Sequence, residues 1–164
     1  MFVVYTAGPY RSAQGMHGVA QNIERAGSVA RQLWAMGFTV ICPHKNTAFF
    51  DGADIPDEVW LAGCLQLVGR ADILILLPGW EHSSGTRIER DTALALGIPI
   101  FEWDAPDTVS LLQRIASGDT LSAPQQEHAL CDQHLHATLD AYRREVERLR
   151  AVLIQSGVEG AVHA

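Results

Sequence analysis

The hexapeptide Asp72-Ile73-Leu74-Ile75-Leu76-Leu77 constrains the fold more than any other part of the chain. Past its first residue it shows no polar alternation. A strand of that kind needs cover on both faces, which a parallel sheet between helices supplies. Three further segments read as strands: residues 2–6, ended by Ala7-Gly8-Pro9, residues 38–42, ended by Pro43, and residues 98–101. Between them the apolar spacing changes to that of helices. Residues 22–36 carry Ile23, Ala26, Ala30, Leu33 and Trp34 at helical intervals, with Gly37 as the stop. A second helix is predicted over 57–69, entered through Asp54-Ile55-Pro56 with proline in the first turn. A third is predicted over 85–96, stopped by Gly97. Residues 44–55 and 78–84 read as loops.

Strands and helices thus alternate with short connections, the pattern of βαβ units with right-handed crossovers. The fold class expected is α/β, a three-layer Rossmann- or flavodoxin-like sandwich around a parallel sheet of four to five strands. This domain spans residues 1–116, with its last helix over 106–116. Residues 117–124 read as a linker. Over residues 125–156, Leu135, Leu139, Tyr142, Val146, Leu149 and Leu153 recur at alternating four- and three-residue steps beside Arg143, Arg144, Glu145, Glu147 and Arg148. That C-terminal amphipathic helix either pairs with a second copy or docks on its own domain. In both cases it suits a homodimer or homotetramer. Residues 157–164 read as a tail.

With 164 residues, 48% hydrophobic and 19% charged, the chain is long enough to bury a core and too apolar for disorder. No apolar run approaches the roughly 20 residues of a membrane span. The net charge of −7 and pI near 5.4 argue against a nucleic-acid polymer as partner. A single anionic ligand is still compatible, because one arginine and a helix N-terminus hold a phosphate locally. Cys42, Cys64 and Cys131 match neither a disulfide framework nor metal spacing, so no metal and no cofactor are expected. Met1-Phe2-Val3 leads straight into a strand without a basic leader, and the expectation is a reduced, cytoplasmic protein.

In an open parallel sheet, ligands bind beyond the carboxyl ends of the strands. Three loops emerge there. In the first, Gly8 lets the backbone approach a ligand, Tyr10 stacks on it or walls it in, and Arg11 takes a carboxylate or phosphate bidentately. In the second, His44 and Asn46 offer hydrogen bonds to a base or sugar. In the third, Ser83, Ser84 and Gly85 stand at a helix N-terminus, where hydroxyls and N–H groups cap the helix or bind an anion. Glu89 follows about one turn into that helix, so its side chain points back toward the strand ends. Near Trp80, such a carboxylate serves as a nucleophile or base, or as a first-turn acid paired with an arginine.

Three blocks carry a resemblance: Tyr5-Thr6-Ala7-Gly8-Pro9-Tyr10-Arg11, Pro43-His44-Lys45-Asn46-Thr47, and Leu77-Pro78-Gly79-Trp80 followed by Ser83-Ser84-Gly85 and Glu89. The likeness continues through Ala93, Ala95, Leu96 and Gly97 and covers roughly residues 1–103. These blocks resemble the nucleoside 2-deoxyribosyltransferase superfamily, in its small deoxyribosyltransferase-like branch, similar to nucleoside monophosphate N-glycosidases. The resemblance implies cleavage of an N-glycosidic bond in a nucleoside or nucleotide, by hydrolysis or by deoxyribosyl transfer between bases. Glu89 would attack the anomeric carbon, with Arg11 and Ser83 on the phosphate. Where relatives carry an Asp in a Gly-Asp-Leu setting this chain has Gly63-Cys64-Leu65, with Asp51, Asp54 and Asp57 as the nearby acids. Loss of that acid leaves open a protein that binds or senses a nucleotide in the same pocket without catalysis.

Overall fold

The computed structural model describes residues 1–50 and 53–118. Its elements run β1 (Val3–Ala7), α1 (Gly15–Ala35), β2 (Thr39–Ile41), α2 (Pro43–Asn46), α3 (Asp57–Val68), β3 (Ile73–Leu76), α4 (Ser84–Ala95), β4 (Ile100–Glu102) and α5 (Thr108–Ala116). A 3-10 turn at Trp80–His82 precedes α4. The four strands form one sheet in the order β2-β1-β3-β4, and every pairing is parallel. The fold is therefore the expected α/β sandwich, with four strands.

Alternation along the strands builds two cores. Val4, Ile73 and Ile75 face Ala26, Val29, Ala30 and Leu33 of α1 and Leu112 and Ile115 of α5. Tyr5, Leu74 and Leu76 face the other way, toward Val68 of α3 and Ala93 of α4. Every residue of β3 is 0–1% exposed, which is why its sequence carries no polar position.

Several boundaries differ from the sequence reading, each for a local reason. Helix α1 starts at Gly15, not at residue 22. Gly15 and Gly18 are poor helix formers and mask the start, yet Gly18 is buried because Ser12 packs over it, where a Cβ would lie 2.0 Å from Ser12 Oγ. Trp34, counted among the apolar positions of that helix, is 52% exposed and lies off the core face. Residues 43–46, read as loop, form the short α2, with Pro43 at the first position, where no N–H is needed. Strand β4 begins at Ile100 because the Ile98 N–H closes α4 on the Ala93 carbonyl at 2.9 Å. The predicted C-terminal helix over 125–156 and the tail over 157–164 lie outside the described residues, as does all of the linker after Gly118. Among the described residues, no helix is long and apolar enough to cross a membrane.

β1 and β3 converge at their C-terminal ends, where the Leu77 N–H donates to the Ala7 carbonyl at 2.8 Å. The next residue, Gly8, is buried, and a Cβ on it would lie 2.8 Å from Leu77 Cβ. The glycine is required by packing. Gly8→Ala is expected to destabilise the fold by about 1–3 kcal/mol, the usual cost of overpacking, read as a lower midpoint in urea unfolding.

Candidate active site

Strand order reverses between β1 and β3, and beyond their carboxyl ends opens a cleft of about 630 Å³. Open α/β sheets bind ligands at such a switch point, and small-molecule clefts run to about 300–1,000 Å³. Glu89 lines this cleft and is only 7% exposed. Its position follows from the start of α4, where Ser83 is the N-cap and its Oγ accepts the Thr86 N–H at 3.3 Å. Thr86 and Glu89, three residues apart, share the inward face of the helix, and both are buried.

Two neutral groups hold the carboxylate. The Tyr5 hydroxyl, projecting from β1 into the α3–α4 core, donates to Glu89 Oε1 at 2.5 Å. The Cys64 thiol of α3 also hydrogen-bonds with Glu89. Burial pushes the Glu89 carboxyl up to about 7, and the hydrogen bonds from Tyr5 and Cys64 keep it from rising further. Burial, with the negative charge of Glu89, likewise pushes Cys64 up to about 11 and Tyr5 well above the usual phenol range. Both partners are thus protonated donors at neutral pH. The carboxylate ionises near neutrality, on the wall of a cleft, and among the described residues no cation pairs with it. That is the state a nucleophile or general base needs.

The other wall comes from the first loop and α2. Asn22 of α1 pins this loop by donating to the carbonyls of Tyr10 at 3.0 Å and Arg11 at 3.4 Å. The Tyr10 ring lies 5.9 Å from that of His44, tilted by 50°. His44 is 4% exposed, and its Nε2 donates to the Pro9 carbonyl at 3.1 Å. Burial lowers its pKa, against the pull of the Pro9 and Gly8 carbonyls, so the ring is neutral at pH 7. Arg11 makes an ion pair with Asp57 at the start of α3, with side chains 72% and 65% exposed. A pair so open to water is worth at most about 1 kcal/mol.

Of the residues singled out from sequence, Gly8, Tyr10, Arg11 and His44 meet Ser83, Ser84, Gly85 and Glu89 around this cleft. Asn46 and Trp80 are not among its lining residues. Asn46 is exposed at the end of α2. Trp80 packs against the α3–α4 core, with the Arg90 guanidinium 5.4 Å from its ring centroid. The turn at Trp80–His82 directs the indole into packing, which a linear reading of the loop does not show. Of the three nearby acids, Asp57 lines the cleft and Asp54 does not, while Asp51 lies outside the described residues.

The sequence reading missed Tyr5, Arg25, Phe50 and Trp60, all of which belong to the site or its rim. Tyr5 had a signal, since a phenol in a strand destined for burial needs a hydrogen-bond partner. Phe50 and Trp60, ring centroids 6.2 Å apart and both lining the cleft, come from separate segments with no spacing to connect them. Among the described residues, no three His, Cys, Asp or Glu side chains group to hold a metal, and Cys42 and Cys64 are free thiols.

Residues 2–102 match the family model DUF4406, a domain of unknown function. The matched stretch runs from the residue before β1 to the end of β4 and holds every cleft residue named above. No curated protein matches the chain. Because the match covers well over half of the 164 residues, the chain belongs to the DUF4406 family.

Proposed function

We propose that this protein cleaves the N-glycosidic bond of a nucleoside or nucleoside 5′-monophosphate, with Glu89 as nucleophile. The observation that carries this reading is the buried Glu89 carboxylate on the cleft wall, with the Tyr5 hydroxyl 2.5 Å from its Oε1. The resemblance of the three sequence blocks around it supports the same chemistry.

In this scheme the Glu89 carboxylate attacks C1′ as the C1′–N bond breaks, and the bonding pair leaves with the base. Water then adds to C1′, frees the carboxylate and gives its proton to the departed base, or a second base takes the sugar instead. An oxocarbenium-like transition state favours an anionic oxygen facing C1′. Tyr5 and Cys64 stabilise the carboxylate without neutralising it. At the start of α4, Ser83 accepts from Thr86 and keeps its own proton to donate to a phosphate oxygen, beside the N–H groups of Ser84 and Gly85. Arg11 joins by exchanging Asp57 for the ligand, a swap that an exposed pair allows at little cost. Reduced Cys42 and Cys64 fit a cytoplasmic protein, and we read its working form as a homodimer or homotetramer.

Cys64 favours a second reading. A neutral thiol stands against Glu89 where the resemblance calls for an acid, and a protein so built binds a nucleotide and leaves its glycosidic bond whole. Chromatography of the bound ligand after long incubation separates the two.

Three outcomes are expected. Incubated with a panel of nucleosides and their 5′-monophosphates, the wild type releases free base, and Glu89→Gln lowers the rate on the order of 10⁴-fold, as loss of a nucleophile does. If the wild type releases no more base than the variant, the enzyme reading falls. The second concerns pH. The nucleophile works ionised, so kcat/KM rises with pH through about 7 and levels off above it. A profile flat from pH 5 to 8 removes Glu89 as the ionising group. The third is thermodynamic. The carboxyl titrates at about 7 in the fold against 4.5 as its ordinary value, so the folded state binds this proton more tightly than the unfolded chain. Its contribution to stability is complete below pH 4.5 and is lost as pH rises through about 7, by about 3 kcal/mol. Glu89→Gln, neutral throughout, is therefore more stable than wild type at pH 8, and this advantage shrinks toward pH 5. Parallel urea titrations at both values check it.

A further inference from the structure

We propose that Arg25, on α1, is the contact that makes this cleft prefer a ligand bearing a phosphate. The proposal rests on the nucleotide reading for the identity of that ligand, and on geometry for the site itself. Arg11 and Arg25 are the arginines on the cleft wall. Arg11 is already compensated by Asp57. The guanidinium of Arg25 makes no ion pair or hydrogen bond with any described residue. The other cations near this part of the fold are spoken for, since Arg31 and Lys45 both pair with Glu24.

Helix geometry aims the side chain. Asn22 and Arg25 are three residues apart and share one face of α1. Asn22 binds the carbonyls of Tyr10 and Arg11, so that face abuts the first loop. Side chains on a helix lean toward its N-terminus, which carries the Arg25 guanidinium toward the first loop. His44 brings no positive charge there, because burial keeps it neutral. Among the described residues, the wall therefore holds one positive charge that no carboxylate compensates. A guanidinium offers donors only, arranged to grip two oxygens of a phosphate at once.

The test uses inorganic phosphate, which carries the anion and has no glycosidic bond to lose. Calorimetry on the full-length chain is expected to show saturable phosphate binding at millimolar concentration. Arg25→Gln weakens it at least about tenfold, the loss of a charge-assisted hydrogen bond, and Arg25→Lys restores part. Arg31→Gln, the same charge change elsewhere on the helix, leaves it within about twofold of wild type, because exposed charges at that distance are screened. Arg11→Gln weakens it less than Arg25→Gln does. The proposal is overturned if the wild type binds no phosphate, if Arg25→Gln binds like wild type, or if Arg31→Gln or Arg11→Gln costs as much as Arg25→Gln. Failure to release base leaves these results unaffected, so the site and the reaction stand or fall separately.

Discussion

One hydrogen bond ties the sheet to its chemistry: the Tyr5 hydroxyl on β1 to the Glu89 carboxylate on α4. Burying a carboxylate is costly unless its oxygens find donors, and the choice of donor decides what the group can do. An arginine in this position would have pulled the pKa down by about 1–3 units and produced an inert structural ion pair. A phenol and a thiol, both protonated at neutral pH, satisfy the oxygens without cancelling the charge. The result is a carboxyl balanced near pH 7 inside a protein whose other described acids are mostly at its surface. The burial that raises the Glu89 carboxyl to about 7 is also a cost to the fold, so the site draws on stability supplied by the strand packing beneath it.

That packing was legible in the sequence because it depends on local pattern. The unbroken apolar run of β3 required cover on both faces, and Ile73 and Ile75 on one side with Leu74 and Leu76 on the other show how that cover is divided. Turn residues marked most element ends to within a residue or two. What escaped were places where tertiary contact overrides propensity. Gly18 sits in the first turn of α1 because Ser12 needs its space, and no helix-propensity argument foresees that. Ile98 looks like strand and is spent closing a helix, since its N–H reaches Ala93 before the sheet begins.

The site was legible to the extent that its residues sit at fixed distances from strand ends. Glu89, Ser83 and Arg11 could be placed because a loop after a parallel strand must emerge at the ligand-binding edge. Trp80 shares that loop and yet turns into the core, because the 3-10 turn rotates it away from the cleft. Asp57, Phe50 and Trp60 reach the cleft only through the crossover that carries the chain from β2 across to β3. Their proximity to Arg11 and to each other is a product of topology, and nothing in the linear spacing encodes it. Tyr5 is the instructive case between these extremes. Its phenol announced an unmet need for a partner, while the identity of that partner lay 84 positions away.

The two flanks of the cleft solve different electrostatic problems, and this has consequences for how a charged ligand would be received. On the α3–α4 flank the buried carboxyl of Glu89 is held by neutral donors, so its charge responds to whatever enters. A negative ligand raises the pKa of a neighbouring carboxyl, and a cation placed between them offsets the effect. Binding of an anion and ionisation of Glu89 are therefore coupled, with a sign set by where the arginines stand relative to both. Arg11, shared with Asp57, turns to a ligand by leaving that carboxylate to water, a small cost for so exposed a pair. A cation on the α1 flank creates no such debt. An anionic group gripped by an arginine lets Glu89 ionise toward the rest of the ligand, whereas one set against the carboxylate with no cation between them brings two like charges together in a partly desolvated space, where their repulsion is strongest.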